Sequence, residues 1–410
     1  MQTNLTPEIK RTREGQEAEA ILRKCVHCGF CNATCPTYQL LGDELDGPRG
    51  RIYLIKQAFE GADVTRATQQ HLDRCLTCRN CETTCPAGVE YGRLAELGRQ
   101  IVARRVARPP LERFVRWLLR NGLTSRAFAP LVQLGRAMRW ALPSAIRHKL
   151  PKFGEARGKS WPTQTHARKA LLLAGCVQPA LAPNINSATA RVLHAAGVQT
   201  LVAPNAGCCG ALRLHLSDAD AALNDMRRNI DAWWPLVGSG DVEAIVTNAS
   251  GCGVTVKEYG RSLAHDARYA DKAKRISELT VDLSELLPSI TQALQSKLQA
   301  PTAPIVFHAP CTLQHGQKLR GVERALAALG FNVTTAGAES HLCCGAAGTY
   351  SLLEPDLAHR LRDRKLGQLT LRQPQIIASA NFGCMQHLQS GTSIPVRHWI
   401  EVLDDALERG

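Results

Sequence analysis

The sequence predicts an α plus α/β protein, in which a mainly helical N-terminal domain precedes a tandem pair of α/β domains. Sixteen cysteines provide the first two observations: two short cysteine runs lie near the N-terminus, and a wider cysteine pattern occurs twice in the C-terminal half. The third is that apolar runs of strand length alternate with helical segments from Lys169 onward. Between the short runs, segments such as RGRIYLIKQAFEGA have helical composition without strand-like alternation.

These patterns divide the chain into four segments. We expect residues 1–98 to form the helical domain, residues 99–168 a basic helical linker, and residues 169–300 and 301–410 the two α/β domains. Several prolines break the linker into short helices. A chain of 410 residues is long enough for several domains, each with its own hydrophobic core.

The short cysteine runs share the pattern C-x2-C-x2-C-x3-C-P. It occurs as CVHCGFCNATCP and again fifty positions later as CLTCRNCETTCP. Two-residue gaps let one tight loop present three thiolates to the same four-iron cluster. The sequence therefore predicts a ferredoxin-like domain with two [4Fe-4S] clusters, whose ligands are Cys25, Cys28, Cys31, Cys35, Cys75, Cys78, Cys81 and Cys85.

The fourth cysteine of each run has a separate expectation. In two-cluster proteins it commonly ligates the other cluster, so we expect Cys35 to join the cluster of the second run and Cys85 that of the first. Zinc is the alternative metal, but zinc sites usually draw two C-x2-C pairs separated by a longer insert. His27, inside the first run, either tunes the cluster potential or simply faces solvent.

The wider pattern places four cysteines in each α/β domain. Its two copies are Cys176, Cys208, Cys209 and Cys252, then Cys311, Cys343, Cys344 and Cys384. Strands end near these cysteines, and ligands of open α/β sheets gather at the carboxyl ends of strands. Gly210 and Gly345 permit the turn that brings adjacent cysteines into one site. A further iron-sulfur cluster in one or both copies is one interpretation, and inert buried cysteine is the other.

The positive charge is concentrated in one region. The net charge is +14, and residues 99–169 contain seventeen Lys and Arg against two acids, 17 − 2 = +15. This basic stretch lacks the interleaved aromatic and polar side chains that recognise bases in a nucleic-acid interface. We therefore expect its surface to be a solvated linker face, or one that docks an acidic partner or an anionic membrane. Its helix LERFVRWLLR is amphipathic, and we expect the face of Phe114, Trp117 and Leu118 to pack against the rest of the protein, with membrane or partner docking as the alternative.

The location of the chain is predicted from what the sequence lacks. No apolar run approaches the roughly 20 residues of a bilayer span, and the first 24 residues do not resemble a secretory signal. We therefore expect a cytoplasmic protein whose cysteines are reduced and available for metal or redox chemistry.

Two cluster-binding runs followed by two Cys-Cys-Gly domains resemble the iron-sulfur subunits of respiratory hydroxyacid and glycerol-phosphate dehydrogenases and of heterodisulfide reductases. Within that group, HLDRCLTCRNCETTCP, SGCGVTVKEYG, CTLQHGQKL and SHLCCGAAGTYSL resemble the bacterial glycolate oxidase iron-sulfur subunits. The resemblance implies a complex on the cytoplasmic face of the inner membrane, in which flavoprotein subunits oxidise glycolate to glyoxylate and this subunit passes electrons toward quinone. We expect no flavin and no catalytic residue on this chain, since it lacks a G-x-G-x-x-G fingerprint.

Alternatives remain at this point. The chain could be the iron-sulfur subunit of a related D-lactate or glycerol-3-phosphate dehydrogenase, or a heterodisulfide-reductase-like thiol/disulfide reductase. The reductases close each Cys-Cys-Gly domain with C-x2-C, whereas Cys252 and Cys384 have no second cysteine at that spacing. A zinc-stabilised scaffold or nucleic-acid-binding protein is the alternative from a different class.

Overall fold

The computed structural model describes residues 1–138, 140 and 159–407, so the linker prolines Pro143 and Pro151 lie outside the described residues. Its α-helices are, in chain order, α1 Pro7–Lys10, α2 Arg13–Lys24, α3 Phe30–Ala33, α4 Pro36–Leu41, α5 Pro48–Phe59, α6 Arg66–Asp73, α7 Asn80–Thr84, α8 Tyr91–Arg105, α9 Pro110–Gly122, α10 Phe128–Ala137, α11 Gln178–Leu181, α12 Asn184–Ala195, α13 Ala211–His215, α14 Ala219–Gly238, α15 Ser250–Lys257, α16 Tyr259–Ser262, α17 Ala270–Leu279, α18 Leu283–Gln295, α19 Val322–Ala328, α20 Tyr350–Leu353, α21 Pro355–Thr370, α22 Phe382–Gln389 and α23 Trp399–Leu407. The strands are β1 Arg168–Leu172, β2 Val198–Leu201, β3 Ala244–Thr247, β4 Thr280–Asp282, β5 Ile305–His308, β6 Val333–Thr335, β7 Ile376–Ser379 and β8 Val396–His398.

The N-terminal domain is helical, as the sequence predicts. Helices α5 and α8 pack against each other through fully buried side chains such as Ile55 and Leu94. Thr12 caps α2, its hydroxyl accepting the Gly15 N–H at 3.0 Å, which satisfies one backbone donor that the first turn leaves free. Helix α8 runs across the expected boundary between residues 98 and 99, and Arg99 is buried in this domain.

Each α/β domain contains one four-stranded parallel sheet. The strand orders are β2-β1-β3-β4 and β6-β5-β7-β8, so corresponding strands occupy the same positions in both copies. The mixed helical and α/β fold predicted from the sequence is thereby confirmed. The edge strands β4 and β8 have three residues each and no cysteine, and the sequence pattern did not single them out.

The two sheets share one hydrophobic core. Val246 and Leu287 of the first copy belong to the same buried cluster as Phe307, Ile377 and Trp399 of the second. Parallel strands are covered on both faces, which explains why these segments read as continuous apolar runs. The shared core fixes the carboxyl ends of β1 and β3 relative to those of β5 and β7.

The orientation of helix α9 contradicts the expectation that its apolar face is packed. Phe114, Trp117 and Leu118 are 58%, 51% and 51% exposed. Two arginines turn inward instead: Arg116 pairs with Asp73 at 3.1 Å, and Arg120 with Asp218 at 3.3 Å. These ion pairs hold the polar face against the protein and leave the apolar face outside.

Among the described helices, none combines the length and hydrophobicity that crossing a bilayer requires.

Candidate metal centres

The cysteines of the two short runs line two cavities in the N-terminal domain. The first is lined by Cys25, Cys28, Cys31 and Cys85, and the second by Cys35, Cys75, Cys78 and Cys81, with Cys81 also touching the first. The fourth cysteine of each run therefore lines the cavity that contains the first three cysteines of the other run.

The two cysteine loops have the same backbone geometry, which orients their thiols toward the cavities. His27 and Gly29 have φ of 60° and 84°, and Thr77 and Arg79 have φ of 52° and 61°, so each loop contains two left-handed residues at matching positions. The turn lets the His27 N–H donate to Cys25 Sγ at 3.4 Å. The Thr77 N–H donates to Cys75 Sγ at the same distance. Such N–H···S bonds stabilise the thiolate form that iron requires.

Buried arginines lie beside the second cavity. Arg51 is fully buried, donating to His71 O at 2.7 Å, Thr37 Oγ1 at 3.0 Å and Asp46 Oδ1 at 3.3 Å. Burial opposes ionisation of the Cys75 thiol, yet Arg51 and Arg99 together bring its pKa below the usual value. The second cavity is therefore built to hold negative charge.

Burial disfavours the thiolate form of several other cysteines in these cavities. Burial raises the pKa of Cys78 and of Cys81 well above the usual value. In the first cavity, burial and the neighbouring Cys25 raise the pKa of Cys31 to about 11. Buried thiols such as these fit a cationic metal centre, because the metal stabilises the thiolates that protein burial disfavours.

The cysteines of the two cavities differ in their exposure to solvent, because those that line the second are buried or half-buried. Cys28 is exposed, and so are the apolar side chains Val26 and Phe30 on either side of it. The His27 side chain is exposed as well. Partial burial of its ring and the nearby positive charge of Arg49 lower the pKa of His27. The first cavity thus opens on the surface of the described chain.

In the first α/β domain the four cysteines lie together at the carboxyl ends of the strands. The Cys208 thiol interacts with Cys176 and Cys209, and Cys209 interacts with Cys252. Gly210 has φ of 93°, and its N–H donates to Cys208 Sγ at 3.4 Å. The left-handed glycine is what brings two adjacent cysteines into one site.

The second α/β domain repeats this arrangement. Cys311 Sγ lies 3.8 Å from Cys343 Sγ, and the chain of thiol contacts continues through Cys344 to Cys384. Gly345 has φ of 91°, and a Cβ there would lie 2.5 Å from the Ala358 carbonyl oxygen. All four cysteines are buried.

This second cysteine group adjoins the second N-terminal cavity. Leu76 and Cys78 pack in one cluster with Cys311 and Cys343. The Thr83 hydroxyl also hydrogen-bonds His315 Nδ1 at 3.0 Å across the same boundary. Centres held at these two places would be near neighbours.

One residue of this region was missed by the sequence interpretation. His308 is the last residue of β5, and one of its ring nitrogens lies with Cys344 Sγ and Cys384 Sγ in a group whose atoms are all within 4.8 Å of one another. The sequence signal was the H-x2-C spacing in IVFHAPC. A single histidine at that spacing does not by itself indicate a ligand.

Comparisons with known proteins agree with these sites. The family described as "4Fe-4S dicluster domain" matches residues 21–89, and the family described as "Cysteine-rich domain" matches residues 170–257 and 305–389. The chain is therefore an iron-sulfur protein with one dicluster domain and two cysteine-rich domains.

The relatives identify the protein more closely. The chain is 54% identical to the "Glycolate oxidase iron-sulfur subunit" of Escherichia coli K12, with 100% of each chain covered. It is 29% identical to the "Probable glycolate oxidase iron-sulfur subunit" of Bacillus subtilis 168, covering 91% of this chain and 89% of the relative. It is also 23% identical to "Lactate utilization protein A" of the same Bacillus strain, over 58% of this chain and 99% of the relative.

The chain belongs to the family of glycolate oxidase iron-sulfur subunits. An iron-sulfur electron-transfer role within an oxidoreductase complex follows from that membership. The family resemblance identified from the sequence motifs is confirmed.

Proposed function

We propose that this chain conducts electrons from a flavoprotein that oxidises glycolate to glyoxylate, toward quinone. The observation that supports this most directly is the pair of adjoining cavities, each lined by cysteines of both runs. Bound [4Fe-4S] clusters would supply one-electron transfer. The protein residues supply the thiolates, the N–H···S bonds and the buried arginines that set the charge around them.

The proposed ligand sets follow the cavities. Cys25, Cys28, Cys31 and Cys85 would hold the first cluster, and Cys35, Cys75, Cys78 and Cys81 the second. We also propose the four-part division of the chain, with helix α8 completing the N-terminal domain.

The surroundings of the two cavities suggest a direction for the path. The first cavity is open at Cys28, between exposed Val26 and Phe30, which suits electron exchange with a partner subunit. The second adjoins the second α/β domain, where Leu76 and Cys78 pack with Cys311 and Cys343. We therefore place the flavoprotein contact at the first cavity.

The substrate is proposed from the relatives and not from a site on this chain. Glycolate is the substrate in the name of the relative that matches over the full length, whereas the lactate utilization protein covers only part of this chain. We assign substrate oxidation to the flavoprotein. The lack of closing C-x2-C pairs after Cys252 and Cys384 argues against a disulfide-reductase function.

Anaerobic purification followed by iron, sulfide and zinc analysis tests the proposal. We expect at least about eight irons and about eight acid-labile sulfides per chain, because each [4Fe-4S] cluster contains four of each. EPR of the reduced protein should show two interacting clusters. Zinc without sulfide would contradict the proposal and restore the zinc-scaffold alternative.

We also propose that helix α9 rests on an anionic membrane surface. Phe114, Trp117 and Leu118 form its exposed apolar face, with Leu111 exposed beside them and Arg113 exposed at its flank. The surrounding residues 99–169 contribute 17 − 2 = +15 charges. Aromatic and leucine side chains next to arginines are typical of interfacial helices, and anionic lipids complement the charge.

Vesicle sedimentation tests this contact. The variant Phe114→Glu/Trp117→Glu should bind vesicles of mixed anionic and zwitterionic lipid about tenfold more weakly or worse, since burying each aromatic side chain is worth about 1.5–3 kcal/mol. Leu371→Glu, a change at an exposed leucine elsewhere, should bind normally. Unchanged vesicle binding with loss of the flavoprotein during purification would show instead that this face is a subunit interface.

A further inference from the structure

His308 has a buried ring nitrogen without a hydrogen-bond partner in the described part of the chain. The residue is 2% exposed, and its Nε2 atom makes no hydrogen bond among the described residues. A buried polar atom without a hydrogen bond destabilises the fold, so native proteins seldom keep one without a use.

The imidazole faces a cluster of thiols. A ring nitrogen of His308, Cys344 Sγ and Cys384 Sγ lie within 4.8 Å of one another. Cys343 is adjacent to Cys344 in sequence, and its Sγ is 3.8 Å from Cys311 Sγ. One imidazole and four thiols therefore converge at the carboxyl ends of β5 and β7, and this donor set suits iron or zinc.

The two α/β domains are not equivalent here. The repeat shift of 135 residues that relates Cys176 to Cys311 places Leu173 at the position of His308. Leu173 is buried and apolar, and it offers no ligand. At this repeat position the nitrogen donor therefore belongs to the copy that adjoins Cys78 and the second N-terminal cavity, and the other copy has leucine.

We propose that the second α/β domain holds an iron-sulfur cluster in which the His308 imidazole ligates one iron beside the thiolates of Cys311, Cys343, Cys344 and Cys384. The inference rests on the proposed electron-transfer function. A neutral imidazole adds no negative charge to an iron-sulfur centre, so its reduction potential is higher than it would be with a fifth thiolate at the position of His308. The second α/β domain would then accept electrons from the second N-terminal cluster more readily than the same site with a cysteine in place of His308.

The test compares two buried histidines of the same domain in the full-length, anaerobically purified protein. His308→Leu installs the residue of the first copy. His398→Leu is the control, because His398 is fully buried but has partners, with Nε2 2.9 Å from Asn248 O and Nδ1 accepting the Ile400 N–H at 3.2 Å. Circular dichroism checks that each variant folds, and His308→Cys provides a ligand-retaining variant should His308→Leu fail to fold.

Pulsed EPR for nitrogen coupling to the cluster is the readout. We expect a strongly coupled histidine nitrogen in the wild type and in His398→Leu, and none in His308→Leu or His308→Cys. The cysteine variant should keep its iron while its potential falls. Absence of the coupling in the wild type, its survival in His308→Leu, or stoichiometric zinc in this domain would each overturn the inference. Because the signals of the two N-terminal clusters are recorded in the same samples, their loss would mark failure of the proposed function instead.

Discussion

Replacing Cys78 by serine is expected to reduce glycolate-dependent quinone reduction by the assembled complex to background. Cys78 lines the second cavity and packs against Cys311 and Cys343 of the second α/β domain. Its loss would remove one thiolate from the proposed second cluster, which lies beside the second α/β domain. The iron content should fall by about four atoms per chain, the content of one [4Fe-4S] cluster. Flavin reduction by glycolate in the partner subunit should continue, because that step precedes this chain.

The control is the same chemical change in the first α/β domain. Cys176 lies outside both N-terminal cavities, so Cys176→Ser should preserve the EPR signals of both N-terminal clusters. Dye and quinone reduction and the partner's flavin absorbance would be followed together under anaerobic conditions. Unchanged quinone reduction in Cys78→Ser would show that the second cluster does not lie on the electron path.

Cysteine spacing grouped the same thiols that the fold brings together. A gap of two residues restricts three thiols to one loop, and the left-handed residues at 27, 29, 77 and 79 are the local means. The repeated shift of Cys176 to Cys311 in turn identified two copies of one domain, and both sheets have the same strand order. These features depend on residues close together in sequence or on an internal repeat, so they can be predicted from the sequence.

Features set by distant residues could not be predicted in this way. The periodicity of α9 shows that it has an apolar face and a polar face. It does not show which face packs against the rest of the protein, because that depends on the ion pairs with Asp73 and Asp218. His308 has no motif of its own, and its importance emerges only where β5 ends beside Cys344 and Cys384. Arg51 is another case, because a single arginine in a helix gives no sign that it will be fully buried.

Replacing Arg51 by methionine should destabilise the N-terminal domain by about 3–5 kcal/mol, the usual cost of breaking a buried ion pair. Asp46 is fully buried and would keep Arg74 at 2.9 Å and His71 Nδ1 at 3.1 Å while losing Arg51. The His71 carbonyl and the Thr37 hydroxyl would also lose their donor. Anaerobic denaturant unfolding of the cluster-loaded protein would measure the loss.

The same substitution should shift the reduction potential of the second cluster to a more negative value. Although burial opposes its charge, Arg51 has a pKa raised above the usual value by Cys75, Cys35 and Asp46, so its cation interacts with thiolates of the second cavity. Removing that cation disfavours an added electron on the cluster.

Lys56→Met is the matched control for Arg51→Met, because it removes one positive charge from the same helix. Lys56 pairs with Glu60 one turn away along α5, where both side chains are 18% exposed, and i,i+4 pairs on helices contribute about 0.3–0.5 kcal/mol. Redox titration followed by EPR should therefore find a lowered potential in Arg51→Met and little change in Lys56→Met. Equal shifts in both variants would mean that net charge, and not the position of the Arg51 guanidinium, sets the potential.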